Sequence, residues 1–143
     1  MDEGIRDYRT VRGYQINEDA EGLSPAMEDY LEMVARLCRE NGCARISEVS
    51  AALHVKPSSA SKMVSKLHTS GYLSLDRSSN IYMTALGKTM AEYLLYRHET
   101  IENFLIAVGS KNALKETELI EHFLSSQTVD AIKKALFVLQ ENT

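Results

Sequence analysis

The 143 residues carry 16 lysines and arginines against 20 aspartates and glutamates, a formal net charge of -4, and 44% of them are hydrophobic. That apolar share supports a packed core and excludes wholesale disorder. The longest unbroken apolar runs, Phe104 to Val108 and Ala135 to Leu139, are far shorter than a membrane-spanning helix, and two cysteines cannot staple a disulfide scaffold or complete a zinc-finger quartet. With no export-type leader at the start, a soluble, reduced, cytoplasmic and strongly helical protein with no membrane partner is expected.

Residues 1–22 show no clear period, are broken by Gly4, Gly13 and Gly22, and read as an N-terminal arm of unknown role. Ser24-Pro25 reads as an N-cap followed by the first helical position. Met27, Tyr30, Leu31, Val34, Leu37 and Cys38 then recur at helical spacing until Asn41-Gly42. Ser47 is expected to cap a short second helix, Glu48 to Leu53, with Val49, Ala52 and Leu53 inward. After a tight connection at His54-Val55-Lys56, Pro57-Ser58 opens a third helix that buries Ala60, Met63, Val64 and Leu67 and closes at Gly71. Tyr72 to Leu75 and Ile81 to Met83 read as a hairpin around Arg77-Ser78-Ser79-Asn80. Thr84 is expected to cap a long helix to about Val108, with Leu86, Met90, Tyr93, Leu94, Arg97, Ile101, Phe104 and Leu105 along one side. Two further helices are expected around Glu116–Leu124 and Thr128–Gln140, the latter with Val129, Ile132, Leu136 and Leu139 on one face.

This order predicts a mainly α protein: a winged helix-turn-helix DNA-binding domain over residues 23–96, then a helical domain over 97–143. Charge is distributed to match. Residues 44–97 sum to +4, whereas residues 1–22, 23–43 and 98–143 sum to -3, -2 and -3. The apolar stripe of the third helix turns Ser58, Ser59, Ser61, Lys62, Ser65 and Lys66 outward, hydroxyls and ammoniums with no acid among them. Such a face can meet base edges and phosphates of double-stranded DNA. Lys56, Pro57 and Arg77 at the hairpin tip extend it, although a solvated helix face is the plainer alternative. His54 and His68 read as surface or cap residues.

A second group of residues carries a different chemistry. Asp29 and Glu32 leave one face of the first helix, and Glu118, Glu121 and His122 are spaced i, i+3, i+4 near the end of the chain, with His98 between them in sequence. Acids on one face are normally solvated. Four carboxylates with two imidazoles and no thiolate would instead suit manganese or ferrous iron. The residues three before His54, His68, His98 and His122 are Ala51, Ser65, Leu95 and Leu119, so no Glu-x-x-His pair of a di-iron oxidase is present. No nucleophile triad or phosphate-binding glycine loop offers an enzymatic alternative, and a thiol switch at Cys38 and Cys43 has no supporting motif.

The segments Ser24-Pro-Ala-Met-Glu-Asp-Tyr-Leu-Glu32, His54-Val-Lys-Pro-Ser-Ser-Ala-Ser-Lys-Met-Val-Ser-Lys-Leu67, Tyr96-Arg-His-Glu99 and Glu118-Leu-Ile-Glu-His122 together resemble the manganese-responsive branch of the diphtheria-toxin-repressor family. The resemblance runs from Ser24 to the C-terminus. It implies a homodimeric, metal-activated winged-helix repressor of operator DNA, likewise not an enzyme, with a helical metal-binding and dimerisation domain and control of metal-uptake genes. It also implies a binuclear site with Asp29, Glu32, His98, Glu118, Glu121 and His122 as ligands for Mn(II), two ions per subunit. Sulfur-bearing side chains stand at the positions of Asp29 and Glu118 in the iron-responsive branch, so carboxylates there imply the manganese type, Fe(II) being the alternative. The longer iron-type relatives carry a C-terminal SH3-like domain that this sequence is expected to lack. A winged-helix repressor answering to an organic ligand is the rival reading, and an adaptor that has lost DNA binding a further one.

Overall fold

The structure, a computed structural model, describes residues 22–142; the N-terminal arm up to residue 21 lies outside the described residues. Helix α1 (Pro25–Asn41) starts where Ser24 Oγ accepts the Met27 amide at 3.2 Å and ends at Gly42, whose φ of 82° permits the left-handed C-cap. Helix α2 (Ile46–Leu53) starts one residue before the expected cap. The Glu48 carboxylate reaches back to the Arg45 amide at 3.0 Å, which displaces Ser47 from the capping role. Ala52, expected inward, is exposed. His54 takes the left-handed C-cap at φ 55°, making the tight turn into α3 (Pro57–Thr69).

Strands β1 (Leu73–Leu75) and β2 (Ile81–Met83) pair antiparallel, Ser74 opposite Tyr82. The turn between them is organised by Asp76, whose carboxylate accepts the Ser78 and Asn80 amides at 2.9 Å. Ala44, in the link between α1 and α2, exchanges backbone hydrogen bonds with Ile81 at 2.9 and 2.8 Å, so the wing is fastened back onto the helical core. Tyr30, Leu31, Val34, Val49, Ala60, Val64, Leu67, Leu73, Ile81 and Leu94 form that core.

Thr84 Oγ1 accepts the Gly87 amide at 3.0 Å and donates to the Gly71 carbonyl at 2.7 Å, starting α4 (Ala85–Ala107) and tying it to the end of α3. Gly87 is required there: a Cβ would lie 2.1 Å from the Tyr72 carbonyl oxygen, inside hard contact. The 23-residue α4 packs on α1 and β2 and also on α5 (Ala113–Ile120) and α6 (Ser126–Glu141). It thereby carries the winged helix and the C-terminal helices on one rod. Ile101, Val129 and Leu136 are buried along the α4–α6 contact, and Tyr96 Oη donates to Asp130 at 2.9 Å.

Three expectations for this half are corrected. The helix expected over 116–124 is α5 followed by a 3-10 turn, Glu121–Phe123. Helix α6 starts earlier than Thr128 because Ser125 Oγ accepts the Thr128 amide at 3.1 Å. Leu86 and Leu139, placed on inward faces, are exposed. Among the described residues no helix is long and apolar enough to cross a membrane.

Candidate metal centre

All six residues picked from the spacing converge where α1, α4, α5 and the 3-10 turn meet. Asp29 and Glu32 come from α1, His98 from α4, Glu118 from α5, and Glu121 and His122 from the turn. The switch from α to 3-10 winding at Ile120 matters here. It brings both Glu121 and His122 inward, leaving Glu121 fully buried and Glu118 half exposed at the rim.

Two donor clusters result: Asp29, Glu121 and His122 in one, His98, Glu118 and Glu121 in the other, each with its ligand-type atoms within 4.8 Å of one another. Glu121 belongs to both. Its Oε2 lies 2.8 Å from His98 Nδ1, and its Oε1 lies 3.8 Å from His122 Nε2 with no hydrogen-bond partner. Glu32 likewise has a buried, unpartnered Oε1. A cleft of about 240 Å³ lined by Asp29, Glu32, Met33, Arg36, Leu53 and Glu118 opens onto this group.

The electrostatics of the pocket are unbalanced. Burial pushes the Glu32 carboxyl up to about 7, and the charges of Glu121 and Asp29 add to it, with Arg97 and His122 offsetting only part. His122 is pushed the opposite way, up to about 10, by hydrogen bonds to Asp29 and Glu28 that outweigh its burial. At His98, burial favours the neutral ring, but the Glu121 hydrogen bond and the charges of Glu121, Glu118 and Glu102 together raise it. Proton-holding imidazoles and a proton-holding carboxyl are what a crowd of anions does without a cation. Two carboxylates at 4 Å repel by about 4 kcal/mol at an effective dielectric of 20. Two buried carboxylate oxygens with no donor and an all-oxygen-and-imidazole donor set fit a hard divalent cation such as manganese.

Three participants were not assigned to the site from the sequence. Glu28 is buried and its Oε2 accepts from Arg97 Nη1 at 2.9 Å, while its Oε1 lies 3.1 Å from His122 Nδ1. Glu102, one turn after His98, takes that ring's Nε2 at 3.0 Å. Arg97 did carry a signal, since a guanidinium amid Tyr93, Leu94 and Ile101 on the apolar side of a helix demands a buried partner.

The other expected site lies on α3 and the wing, none of whose residues joins the donor clusters. Lys56, Pro57, Ser58, Ser59, Ser61, Lys62, Ser65 and Lys66 are all exposed along α3, and Arg77 is exposed at the wing tip. His54 is a helix cap, and His68 bonds the Leu73 carbonyl through Nδ1 at 2.9 Å, so neither approaches the pocket. Cys38 hydrogen-bonds the Ile81 carbonyl at 3.5 Å, and both cysteines are free thiols.

Comparison with known proteins agrees with this geometry. The HTH-type transcriptional regulator MntR of Shouchella clausii is 42% identical over 121 residues, covering 83% of this chain and 85% of that protein. MntR of Bacillus subtilis is 39% identical over the same share of both. Among solved structures, the metal-dependent transcriptional regulator MtsR superposes with a TM-score of 0.73 at 25% identity over 80% of this chain, and the manganese regulator SloR with 0.70 at 25% over the same share. This chain spans 55% of the length of each of those two. The iron dependent repressor N-terminal DNA binding domain matches residues 22–79, and the metal binding and dimerisation domain of the same family matches residues 84–143. With both halves matched in order, the chain belongs to the iron-dependent repressor family.

Proposed function

We propose that this chain is a manganese-responsive repressor, one that grips operator DNA as a homodimer when two divalent ions occupy the pocket between α1 and the C-terminal helices. The observation that carries the reading is Glu121, a fully buried carboxylate shared by two donor clusters with one oxygen unpartnered. Asp29 and His122 would hold one ion with it, and His98 and Glu118 the other, Glu32 lending its buried oxygen. When bound, the ions supply four positive charges against the four ligand carboxylates and cross-link elements of the two family domains. The oxygen-rich donor set and the relatives described as manganese regulators support manganese over iron.

The protein's own groups do the rest. Asp29 and Glu32 sit on α1, which packs against α2 and α3, so fixing α1 against α4 fixes the orientation of α3. On α3 the serines and lysines would enter a major groove, with Arg77 over the neighbouring backbone. Ile106, Val108, Leu114, Leu119, Phe137 and Val138 are exposed on the C-terminal half, an apolar supply for the dimer contact. Holding two copies of α3 about 34–36 Å apart, or a multiple of that, matches successive major grooves.

The test is selection of duplexes from a randomised pool in the presence of manganese, followed by anisotropy titrations of the selected DNA with manganese, ferrous iron or chelator. Manganese-dependent, specific binding is expected. Binding indifferent to metal would favour an organic effector, and a stronger response to iron would reassign the ion.

A further inference from the structure

Two adjacent residues of α1 hold the two edges of one imidazole. Asp29 Oδ1 is 3.2 Å from His122 Nε2, and Glu28 Oε1 is 3.1 Å from His122 Nδ1. The second Glu28 oxygen is fully engaged by Arg97 Nη1 at 2.9 Å, and both side chains of that pair are nearly sealed from solvent. Glu28 is therefore not free to join the donor clusters, and its anionic charge is already balanced.

An ionised carboxylate only accepts hydrogen bonds, so Glu28 beside Nδ1 keeps an N–H there, and the proton that the ring gives up on taking a cation is the one on Nε2, which frees that lone pair. Nε2 is the edge that faces Asp29 and the unpartnered oxygen of Glu121. Arg97 Nη2 lies 3.3 Å from the same Nδ1. A guanidinium only donates, so Arg97 would favour a bare Nδ1, whereas the Glu28 carboxylate, nearer at 3.1 Å and accept-only, favours Nδ1–H; we take Glu28 as the deciding partner.

We propose that Glu28 is the positioning residue of the Asp29–Glu121–His122 ion position, holding His122 through Nδ1 so that Nε2 faces the ion, with Arg97 as its buried counter-charge. This rests on the two-ion reading above. It also gives α1 a double role: the DNA-binding half supplies both a ligand, Asp29, and the brace for a histidine of the C-terminal half. The ion at that position then senses the seating of α1 through a ring clamped on both edges.

The competing explanation is an ordinary interhelical ion pair, Glu28 with Arg97, whose contact with His122 is incidental. Glu28→Gln and Arg97→Lys separate the two. A glutamine puts its oxygen opposite only one of Arg97 and His122 and a donor NH2 opposite the other, whereas a lysine leaves the Glu28–His122 contact in place. Manganese is titrated calorimetrically into each protein, and the ring-nitrogen resonances are recorded after loading with an NMR-active cadmium isotope. Wild type should take two ions, with cadmium coupled to Nε2 of His122 and a proton retained on Nδ1. Glu28→Gln should weaken one ion about 10- to 100-fold and spare the other, with the His122 Nδ1–H signal lost. Arg97→Lys, which keeps the positive charge beside Glu28, should lower the melting temperature and weaken the same ion clearly less than Glu28→Gln does, with the His122 Nδ1–H signal retained.

Unchanged affinities and ring signals in Glu28→Gln would overturn the proposal, as would equal weakening by both variants. Cadmium coupled to Nδ1 in wild type would overturn it without any variant. Wild type that takes up no manganese overturns the two-ion reading as well, and that titration alone tells the two failures apart.

Discussion

The exposed face of α3 and the pocket beside α1 are carried by two helices that share one small core, and they obey opposite electrostatic rules. On α3 the charges are of one sign and solvated: Lys62 and Lys66 stand in water, with no ion pair among the described residues. In the pocket six carboxylates, those of Glu28, Asp29, Glu32, Glu102, Glu118 and Glu121, crowd Arg97 and two histidines, with Arg36 on the wall of the cleft. The first surface is finished as it folds and waits only for a polyanion. The second is left short of positive charge, so its geometry depends on what binds. A sensor needs that asymmetry, because an element that is already satisfied cannot be biased by a ligand.

Breaking the comparison at its most loaded point means neutralising Glu121, which both donor clusters share. Glu121→Gln keeps the volume and removes the charge. Manganese-stimulated DNA binding should fall by at least about 100-fold, the upper end of what even indirect changes at metal sites cost. Light scattering should still show a folded dimer. Stimulation at wild-type level would mean that the two clusters do not act through a common carboxylate.

The pH response sharpens the same contrast. Metal-free, His122 holds its proton up to about 10 and Glu32 up to about 7, and both must release it to ligate. Manganese affinity should therefore rise by at least about tenfold per pH unit from neutral upward, and more steeply below pH 7 where Glu32 adds a second proton. Calorimetry in two buffers of different ionisation heat reads the protons released. The stability of metal-free protein should run the other way. The His122 contribution is complete below its unfolded value of 6.5 and is lost as pH rises through about 10. Keeping Glu32 ionised costs nothing below 4.5, and the penalty is in full force above about 7. A histidine of ordinary pKa, as the bare sequence implies, would confine the pH dependence to below about 6.5; the carboxylates on both ring edges move it upward.

How much of this was legible differs between the two regions for a physical reason. The α3 face is a local property: Pro57 at the start, an apolar stripe at Ala60, Val64 and Leu67, and whatever remains points outward. Helical periodicity suffices. The pocket is assembled from four elements, and only same-face spacings such as Asp29–Glu32 are visible within any one of them. The i, i+3, i+4 reading of Glu118, Glu121 and His122 assumed a continuous helix. The 3-10 turn instead divides the three, one at the rim and two inward, and that break has no punctuation in the sequence: neither glycine nor proline marks Ile120. Glu28 was invisible because its role depends on Arg97 and His122, 69 and 94 residues away.

The smallest expected effect tests the finished surface. Lys62→Ala should weaken DNA binding only a few-fold at physiological salt, without altering manganese uptake, since Lys62 is exposed on α3, which supplies no side chain to the pocket. Its signature is in the salt dependence. Each phosphate neutralised contributes about 0.9 to the slope of log affinity against log salt. A homodimer with both α3 helices engaged loses two such contacts, so the slope should flatten by about 1.8; engagement of a single helix would flatten it by about 0.9. An unaltered slope would remove Lys62 from the phosphates. Repeating the titration with chelator in place of manganese completes the comparison. If the ions act by holding two preformed faces in register, metal-free protein should show a flatter slope to begin with, and Lys62→Ala should change it by no more than the single-helix amount.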